Sequence, residues 1–272
     1  MGARFSERTL VALEAAEAGA QVIKQAKGSV CLESIRYKSV NDIVTEVDEK
    51  AEEAIVAVIR GSFPKDEILA EERGSVRGAQ GTGVRWYIDP LDGTTNFVHG
   101  VPIYCVSIAY ETDGVLWGGV VYDPNFQEVF VAEKGKGAYL NGQRIRVTET
   151  DQPGSCLLTT GFPFRSFRFV RSYFQLFSHI IPEIHGLRRP GSAALDLCWT
   201  ACGRFDGFLE LNLLCWDIAA GIVIVTEAGG KVTDWRGGGS FMETGNIIAT
   251  NGRIHDWLLE QVSLHFPEKQ LL

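Results

Sequence analysis

The sequence predicts an α/β protein built from two sheet-and-helix halves, and three observations carry that reading. Helical apolar periodicity opens the chain. Strand-length runs divided by Asp-Gly, Asp-Pro-Asn and Asn-Gly turns fill its middle, and beyond about residue 150 strands alternate with helices. No long linker, low-complexity tract or repeat with a period of about 20–50 residues interrupts the 272 residues. The change of pattern near 143–150 predicts an N-terminal part over residues 1–145 and a C-terminal part over 146–272.

Each element has its own signal. Residues 7–27 read as an amphipathic helix, with Leu10, Leu13, Ala16 or Glu17, Ala20 and Ile23 tracing one face and Ser6 as its N-cap. The opening Met1-Gly2 with Ser6 also matches a loose myristoylation pattern, which the N-cap reading outweighs. A second helix over 46–60 carries Ala51, Ala54, Ile55, Val58 and Ile59 on one face; Glu46, Asp48 and Glu49 follow Thr45 in its first turn, and Gly61 and Pro64 end it. The apolar run Ile68-Leu69-Ala70 leads into Glu71-Glu72, and the glycine-rich stretch 73–83 reads as a loop. Strand Trp86-Tyr87-Ile88 ends on Asp89; strands 103–110, 115–122 and 127–132 follow as a largely antiparallel set, with Asn141-Gly142 as a further turn. The second half reads as strand 156–160, helices 167–180 and 192–202, strand 205–211, helix 216–228, strands 231–234 and 246–250, and a last helix over 253–264.

Charge and composition exclude several functions. With 45% hydrophobic residues and a formal net charge of −8, the chain has a globular composition and lacks the positive field that generic binding to nucleic acid or to an anionic membrane needs. The nearest basic cluster, Arg165-Ser166-Phe167-Arg168 with Arg171, reads as a solvated helix start. No apolar run reaches transmembrane length and no secretory h-region opens the chain, so a cytoplasmic protein is expected. Six cysteines without a CxxC pair and five histidines without an H-x3-H pair point to buried reduced thiols rather than zinc.

The chemistry concentrates in Asp89-Pro90-Leu91-Asp92-Gly93-Thr94-Thr95-Asn96. A strand delivers one carboxylate at its end, a second follows three residues later, and Gly93 permits a tight turn. Asp89, Asp92 and the Leu91 carbonyl can then converge as hard oxygen donors of the kind Mg²⁺ prefers. Turn chemistry alone explains Asp-Pro and Asp-Gly dipeptides. Against it, no lysine or arginine lies between 86 and 109, so the crowded acids need protons or metal ions. An aspartyl-nucleophile phosphatase would space its acids two apart; the spacing here suits shared metal ligation.

That octapeptide resembles the first signature of the inositol monophosphatase family of lithium-sensitive, Mg²⁺-dependent phosphatases. Trp216-Asp217-Ile218-Ala219-Ala220-Gly221, followed by Glu227-Ala228-Gly229-Gly230, is similar to the second. Glu71-Glu72, Gly191-Ser192-Ala193-Ala194 and Gly135-Lys136-Gly137-Ala138-Tyr139 match in order, so the resemblance spans about 7–260. It implies a layered α-β-α-β-α sandwich, a homodimer, lithium inhibition, and hydrolysis of a small phosphorylated polyol, inositol 1-phosphate above all, with two to three Mg²⁺. It further implies metal ligation by Glu71, Asp89, Leu91, Asp92 and Asp217, and activation of water by Glu71 with Thr94 and Asp48. Substrate contacts would come from Asp92, Gly93, Thr94, Gly191, Ser192, Ala193, Glu210 and Asp217.

Plain structural roles compete at each position. Asp48 and Asp217 are acids in helix first turns, where the dipole favours them anyway. Ser192 is a good N-cap, Glu71 and Glu72 fit a surface loop, and Gly135–Asn141 reads as a hairpin rather than a phosphate cradle. The chain departs from the family pattern at Ala70, where glycine is usual, and at Ser192, where threonine is common. Sibling phosphatases acting on fructose 1,6-bisphosphate, 3′-phosphoadenosine compounds or histidinol phosphate remain open alternatives, as does a non-catalytic binding protein on the same fold.

Overall fold

A computed structural model describes residues 4–28, 36–39, 42–76, 82–164 and 167–266. The chain runs α1 (Glu7–Ala26), β1 (Arg36–Ser39), β2 (Asp42–Val44), α2 (Glu46–Ser62), β3 (Glu67–Ala70), β4 (Gly74–Val76), β5 (Val84–Asp92) and α3 (Thr94–Val98). Then come β6 (Cys105–Thr112), β7 (Val115–Asp123), β8 (Glu128–Glu133), β9 (Gly137–Leu140), β10 (Gln143–Arg144), β11 (Leu157–Thr160), α4 (Val170–Ile180) and β12 (Gly186–Arg188). The last stretch holds α5 (Ala193–Ala201), β13 (Gly207–Glu210), α6 (Cys215–Glu227), β14 (Lys231–Thr233), α7 (Phe241–Thr244), β15 (Ile247–Thr250) and α8 (His255–His265).

Two large sheets organise these elements. One is eight-stranded, ordered β10-β9-β8-β7-β6-β5-β3-β4; the other is five-stranded, ordered β12-β11-β13-β15-β14. The first is antiparallel as expected, except that β3 runs parallel to β5. Strand alternation decides what each face buries. On the first sheet Trp86, Ile88, Val106, Ile108 and Val120 pack with Ala16, Ala20, Ile55 and Ile59 of α1 and α2. Tyr87, Ala109, Val121 and Phe130 face the other way, onto α5 and α6, which share that core with Phe208 and Ala249 of the second sheet. The far face of the second sheet, through Leu158, Leu209 and Ile248, packs on α4 and α8. The layers are therefore α-β-α-β-α, the expected architecture.

Several details differ from the sequence reading. The buried face of α1 is Val11, Ala12, Ala15, Ala16, Gly19, Ala20 and Ile23, whereas Leu10 is 54% exposed. Small residues win that face because α2 approaches closely: a Cβ on Gly19 would lie 2.8 Å from Ile55 Cδ1. Helix α2 passes through Gly61 to Ser62 before Phe63 caps it. Strand β5 is far longer than 86–88, because it is held by β3 on one side and β6 on the other. The stretch 73–83, read as a loop, holds β4, while the β1–β2 hairpin, α3 and β12 had no apolar pattern to announce them. The Gly135–Asn141 segment is a hairpin, fixed by Glu227, whose carboxylate accepts the Gly135 and Gly137 N–H groups at 2.8 Å. Cys105, Cys156, Cys198, Cys202 and Cys215 are free thiols; Cys31, Arg165 and Ser166 lie outside the described residues. No described helix is long and apolar enough to cross a membrane.

One buried histidine gives the fold a pH signature. His255 is fully buried between the hydroxyls of Thr233 and Thr250, each 2.9 Å from a ring nitrogen, and burial pulls its pKa down to about 4. Unfolded, the same imidazole titrates near its ordinary value of about 6.5. Between these values the unfolded chain binds a proton that the folded one refuses, so stability falls as pH drops through that window. Acidification from pH 7 to 4.5 is expected to cost up to about 2 kcal/mol from this group, after allowing for partial solvent screening. Thermal melts at both pH values check this: His255→Gln should flatten the slope, and an unchanged slope would contradict the assignment.

Candidate active site

The parallel pairing of β3 with β5 sets the first pair of acids. Ala70 lies opposite Ile88, and the Glu71 N–H donates to the Ile88 carbonyl at 3.1 Å, so Glu71 emerges beside Asp89 at matching strand ends. Behind it, the fully buried Glu52 carboxylate accepts the N–H groups of Glu72 at 2.7 Å and Arg73 at 3.1 Å. Helix α2 thereby fixes the turn that carries Glu71.

A bulge in β5 solves the odd spacing of the second pair. Asp89 pairs with Ser107 and Asp92 with Cys105, so three steps along β5 match two along β6. Cross-strand partners share a face, and Ser107 and Cys105 lie two apart on theirs, so both aspartates project towards α5 and α6. Pro90 needs no ladder hydrogen bond at such a bulge. Gly93 then turns the chain with φ of 95°, and a Cβ there would lie 2.8 Å from the Ile103 carbonyl oxygen, so glycine is required.

Helix N-termini complete the set. Asp217 stands in the first turn of α6, where its carboxylate accepts the Leu214 N–H at 2.8 Å. Ser192 caps α5 and also donates its hydroxyl to Asp92 Oδ2 at 2.6 Å, so its capping and site positions coexist. The same oxygen accepts the Ala194 N–H at 2.7 Å, which leaves Oδ1 turned to other partners. Asn96 ties α3 to this loop by donating to the Pro190 carbonyl at 3.0 Å.

These elements enclose one cavity of about 730 Å³. Glu71, Asp89, Leu91, Asp92, Gly93, Thr94, Gly191, Ser192, Ala193, Glu210 and Asp217 all line it. Asp48 is the exception. It is buried behind Thr94, whose hydroxyl lies 2.9 Å from Asp48 Oδ1 and 3.0 Å from the Leu91 carbonyl, and its other oxygen accepts the Thr45 N–H at 2.9 Å and the Thr45 hydroxyl at 2.6 Å. Its helix-capping role is thus real, and its link to the cavity runs through Thr94. Glu210 ends β13 with its carboxylate over Gly161, where any side chain would collide with it. A shallow depression of about 620 Å³ along α4, lined by Arg171, Phe174 and His179, contains none of the expected residues.

Electrostatics single out the acidic wall. Burial, then repulsion from Glu71, Asp92 and Asp217, holds the Asp89 carboxyl well above the ordinary carboxylate range. Asp92 is pushed up to about 7 by burial and by Asp217, against the opposing bonds from Ser192 and Ala194. Burial also raises Asp48, opposed by the Thr45 and Thr94 hydroxyls. Among the described residues no group of three or more acids, histidines or cysteines is already closed into an ion-holding cluster. The carboxylates share one cavity instead, and their mutual repulsion is relieved by protons or by hard cations, which all-oxygen donors suit.

Sequence reasoning passed over three cavity or support residues. Glu52 had a visible signal, an acid four residues after Asp48 on the apolar face of α2. Asp196, fully buried and accepting the Thr159 hydroxyl at 2.8 Å, and Arg189 lie on the cavity wall with no pattern to mark them.

Residues 5–265 match the sequence model of the inositol monophosphatase family. The chain belongs to that family. Within the inositol monophosphatase family it is 43% identical over 260 residues to Nus factor SuhB of Pseudomonas aeruginosa, covering 94% of this chain and 96% of that protein. Extragenic suppressor protein suhB from Bartonella henselae superposes with a TM-score of 0.90 at 39% identity, covering 94% of this chain and 98% of that one. An inositol monophosphatase from Anabaena (Nostoc) gives a TM-score of 0.83 at 38% identity, with coverage of 96% and 97%.

Proposed function

We propose that this inositol monophosphatase family member hydrolyses small phosphomonoesters with Mg²⁺, inositol 1-phosphate first among them. The observation that carries the reading is the shared cavity of Glu71, Asp89, Asp92 and Asp217, where burial and then mutual repulsion raise Asp89 and Asp92. These four carboxylates and the Leu91 carbonyl would hold two to three ions. Bound there, Mg²⁺ supplies an activated water and neutralises the phosphate and the departing oxygen.

The protein's own groups do the positioning and move the proton. Thr94 Oγ donates to Asp48 Oδ1, so that as its oxygen takes a proton from a water in the cavity its own hydroxyl proton would pass to the Asp48 carboxylate. Glu71, fixed through Glu52, orients the same water. Attack by the water oxygen in line with the ester oxygen would form the new P–O bond as the ester P–O bond breaks, and the departing oxygen would take a proton from solvent water to leave as the alcohol. The N-terminal turn of α5 at Gly191–Ala193, with Glu210 and Asp92 Oδ1, receives the hydroxyls of the polyol. We place the protein in the cytoplasm as a homodimer of two-part chains, divided near residue 145, with no nucleic acid or membrane as substrate.

A second reading comes from the names of its relatives: proteins 43–46% identical are Nus factor SuhB. A role of that kind needs a binding surface rather than turnover. Phosphate release from inositol 1-phosphate, fructose 1,6-bisphosphate, 3′-phosphoadenosine 5′-phosphate and histidinol phosphate at millimolar Mg²⁺ separates the readings. The greatest kcat/KM is expected for inositol 1-phosphate; a greater value for another ester replaces the substrate assignment, and no release from any favours the binding role.

A further inference from the structure

One buried acid on the cavity wall has no part in the chemistry above. Asp196 stands in the first turn of α5, where its N–H donates to the Ser192 carbonyl at 3.0 Å. It is 1% exposed yet lines the cavity, so the surface it keeps opens inward. The Thr159 hydroxyl donates to its Oδ1 at 2.8 Å. Among the described residues Thr159 is the one side-chain donor to that carboxyl, and no Lys or Arg forms an ion pair with it. Its Oδ2 is not one of the side-chain atoms sealed away without a partner. One oxygen is therefore anchored, and the other is turned to the cavity.

Strand pairing brings this carboxyl beside Glu210. β11 and β13 run parallel with Thr160 opposite Leu209, so Gly161 follows next to Glu210. Thr159 and Gly161 are two apart and face the same way. On that face Thr159 holds Asp196, and a side chain on Gly161 would collide with the Glu210 carboxylate. The two carboxyls thus stand over strand positions about 7 Å apart, within reach of neighbouring hydroxyls on one substrate. Burial, against the bond from Thr159 and with repulsion from Glu210 and Asp92, holds the Asp196 carboxyl well above the ordinary carboxylate range. A neutral acid whose Oδ1 accepts from Thr159 carries its proton on Oδ2 and donates it, whereas Glu210 is placed to accept. A hydroxyl both donates and accepts, so a donor beside an acceptor suits a polyol better than two acceptors would.

We propose that Asp196 is a specificity residue whose Oδ2 hydrogen-bonds a hydroxyl of the bound polyol, next to the one that Glu210 receives. The proposal rests on the phosphatase reading. It is tested by kcat/KM for inositol 1-phosphate divided by that for 4-nitrophenyl phosphate, an ester whose alcohol part carries no other hydroxyl. The ratio is measured with Mg²⁺ in the wild type, Asp196→Ala, Asp196→Asn and Thr159→Val, with circular dichroism to check folding. It is expected to fall about tenfold in Asp196→Ala, through a raised KM for inositol 1-phosphate. Asparagine keeps an oxygen for Thr159 and an N–H donor for the hydroxyl, so Asp196→Asn should restore the ratio to within about threefold of the wild type. Thr159→Val leaves the carboxyl in place and deletes the bond that orients it, and should lower the ratio by about threefold. A merely structural acid would weaken turnover of both esters alike and leave the ratio unchanged. An unchanged ratio in Asp196→Ala, or in Thr159→Val should the alanine variant not fold, overturns the proposal and leaves the phosphatase reading standing. Failure of the wild type to hydrolyse either ester overturns both.

Discussion

Asp89→Asn should abolish Mg²⁺-dependent phosphate release, by about a thousandfold or more, while raising the melting temperature of the metal-free protein. The two effects share one cause. The Asp89 carboxyl is 2% exposed, and burial first, then repulsion from Glu71, Asp92 and Asp217, holds its pKa well above the ordinary range. A raised carboxyl pKa means that the folded state disfavours the ionised form, so near pH 7 this group weakens the fold. Asparagine keeps the shape and the oxygen that accepts the Leu91 N–H at 3.0 Å, and removes the charge. On the proposed reading it also removes one of the four acids that would hold the cations, and with it most of the electrostatic stabilisation, on the order of 4 kcal/mol, that bound Mg²⁺ would contribute in the transition state. Melts without metal and turnover with Mg²⁺ check both halves. A variant that loses stability along with activity would make Asp89 a structural acid, as the plain turn reading has it.

Thr94→Val tests the proton path. Valine matches threonine in shape and deletes the hydroxyl that links the cavity to Asp48 at 2.9 Å. The water would lose its acceptor, and Asp48 would be left with Thr45 as its remaining close donor. General-base assistance contributes about 10²–10⁴-fold, so kcat is expected to fall by two to three orders of magnitude on that scale with KM changed little. Thr94→Ser, which keeps the hydroxyl, should retain activity within about tenfold. Equal losses in the serine and valine variants would show that Thr94 acts through packing alone.

How far the sequence reveals these features differs from residue to residue. The strands, the helix starts and the site turn were legible because each has local chemistry: strand-length runs in β6 and β7 divided by Asp113-Gly114 and Asp123-Pro124-Asn125, a capping box at Thr45 and Asp48, glycine where Gly93 takes a positive φ. The bulge that puts Asp89 and Asp92 on one face was not, since register depends on the partner strand rather than on β5 itself. Hydrophobicity misjudged α1: leucine scores highest, yet close approach to α2 selects alanine and glycine, so Leu10 faces outward. The short strands β1, β2, β4 and β12 borrow their conformation from neighbours and carry no apolar rhythm of their own. Arg189 was hidden for a related reason. Its setting is assembled from Phe162 and Phe164 before α4 and from Gly191 after it, segments that only the fold brings together.

On the proposed function, a chain of net charge −8 would act on an anionic ester only after cations bound in the acidic cavity reverse its local sign. Phosphate release from inositol 1-phosphate, followed as Mg²⁺ is titrated into the metal-free protein and then withdrawn with EDTA, tests that claim most directly. Release that is absent without Mg²⁺, rises to saturation at millimolar concentration and is lost again on chelation is the predicted result. Release independent of Mg²⁺, or none at any concentration from a folded protein, would contradict it.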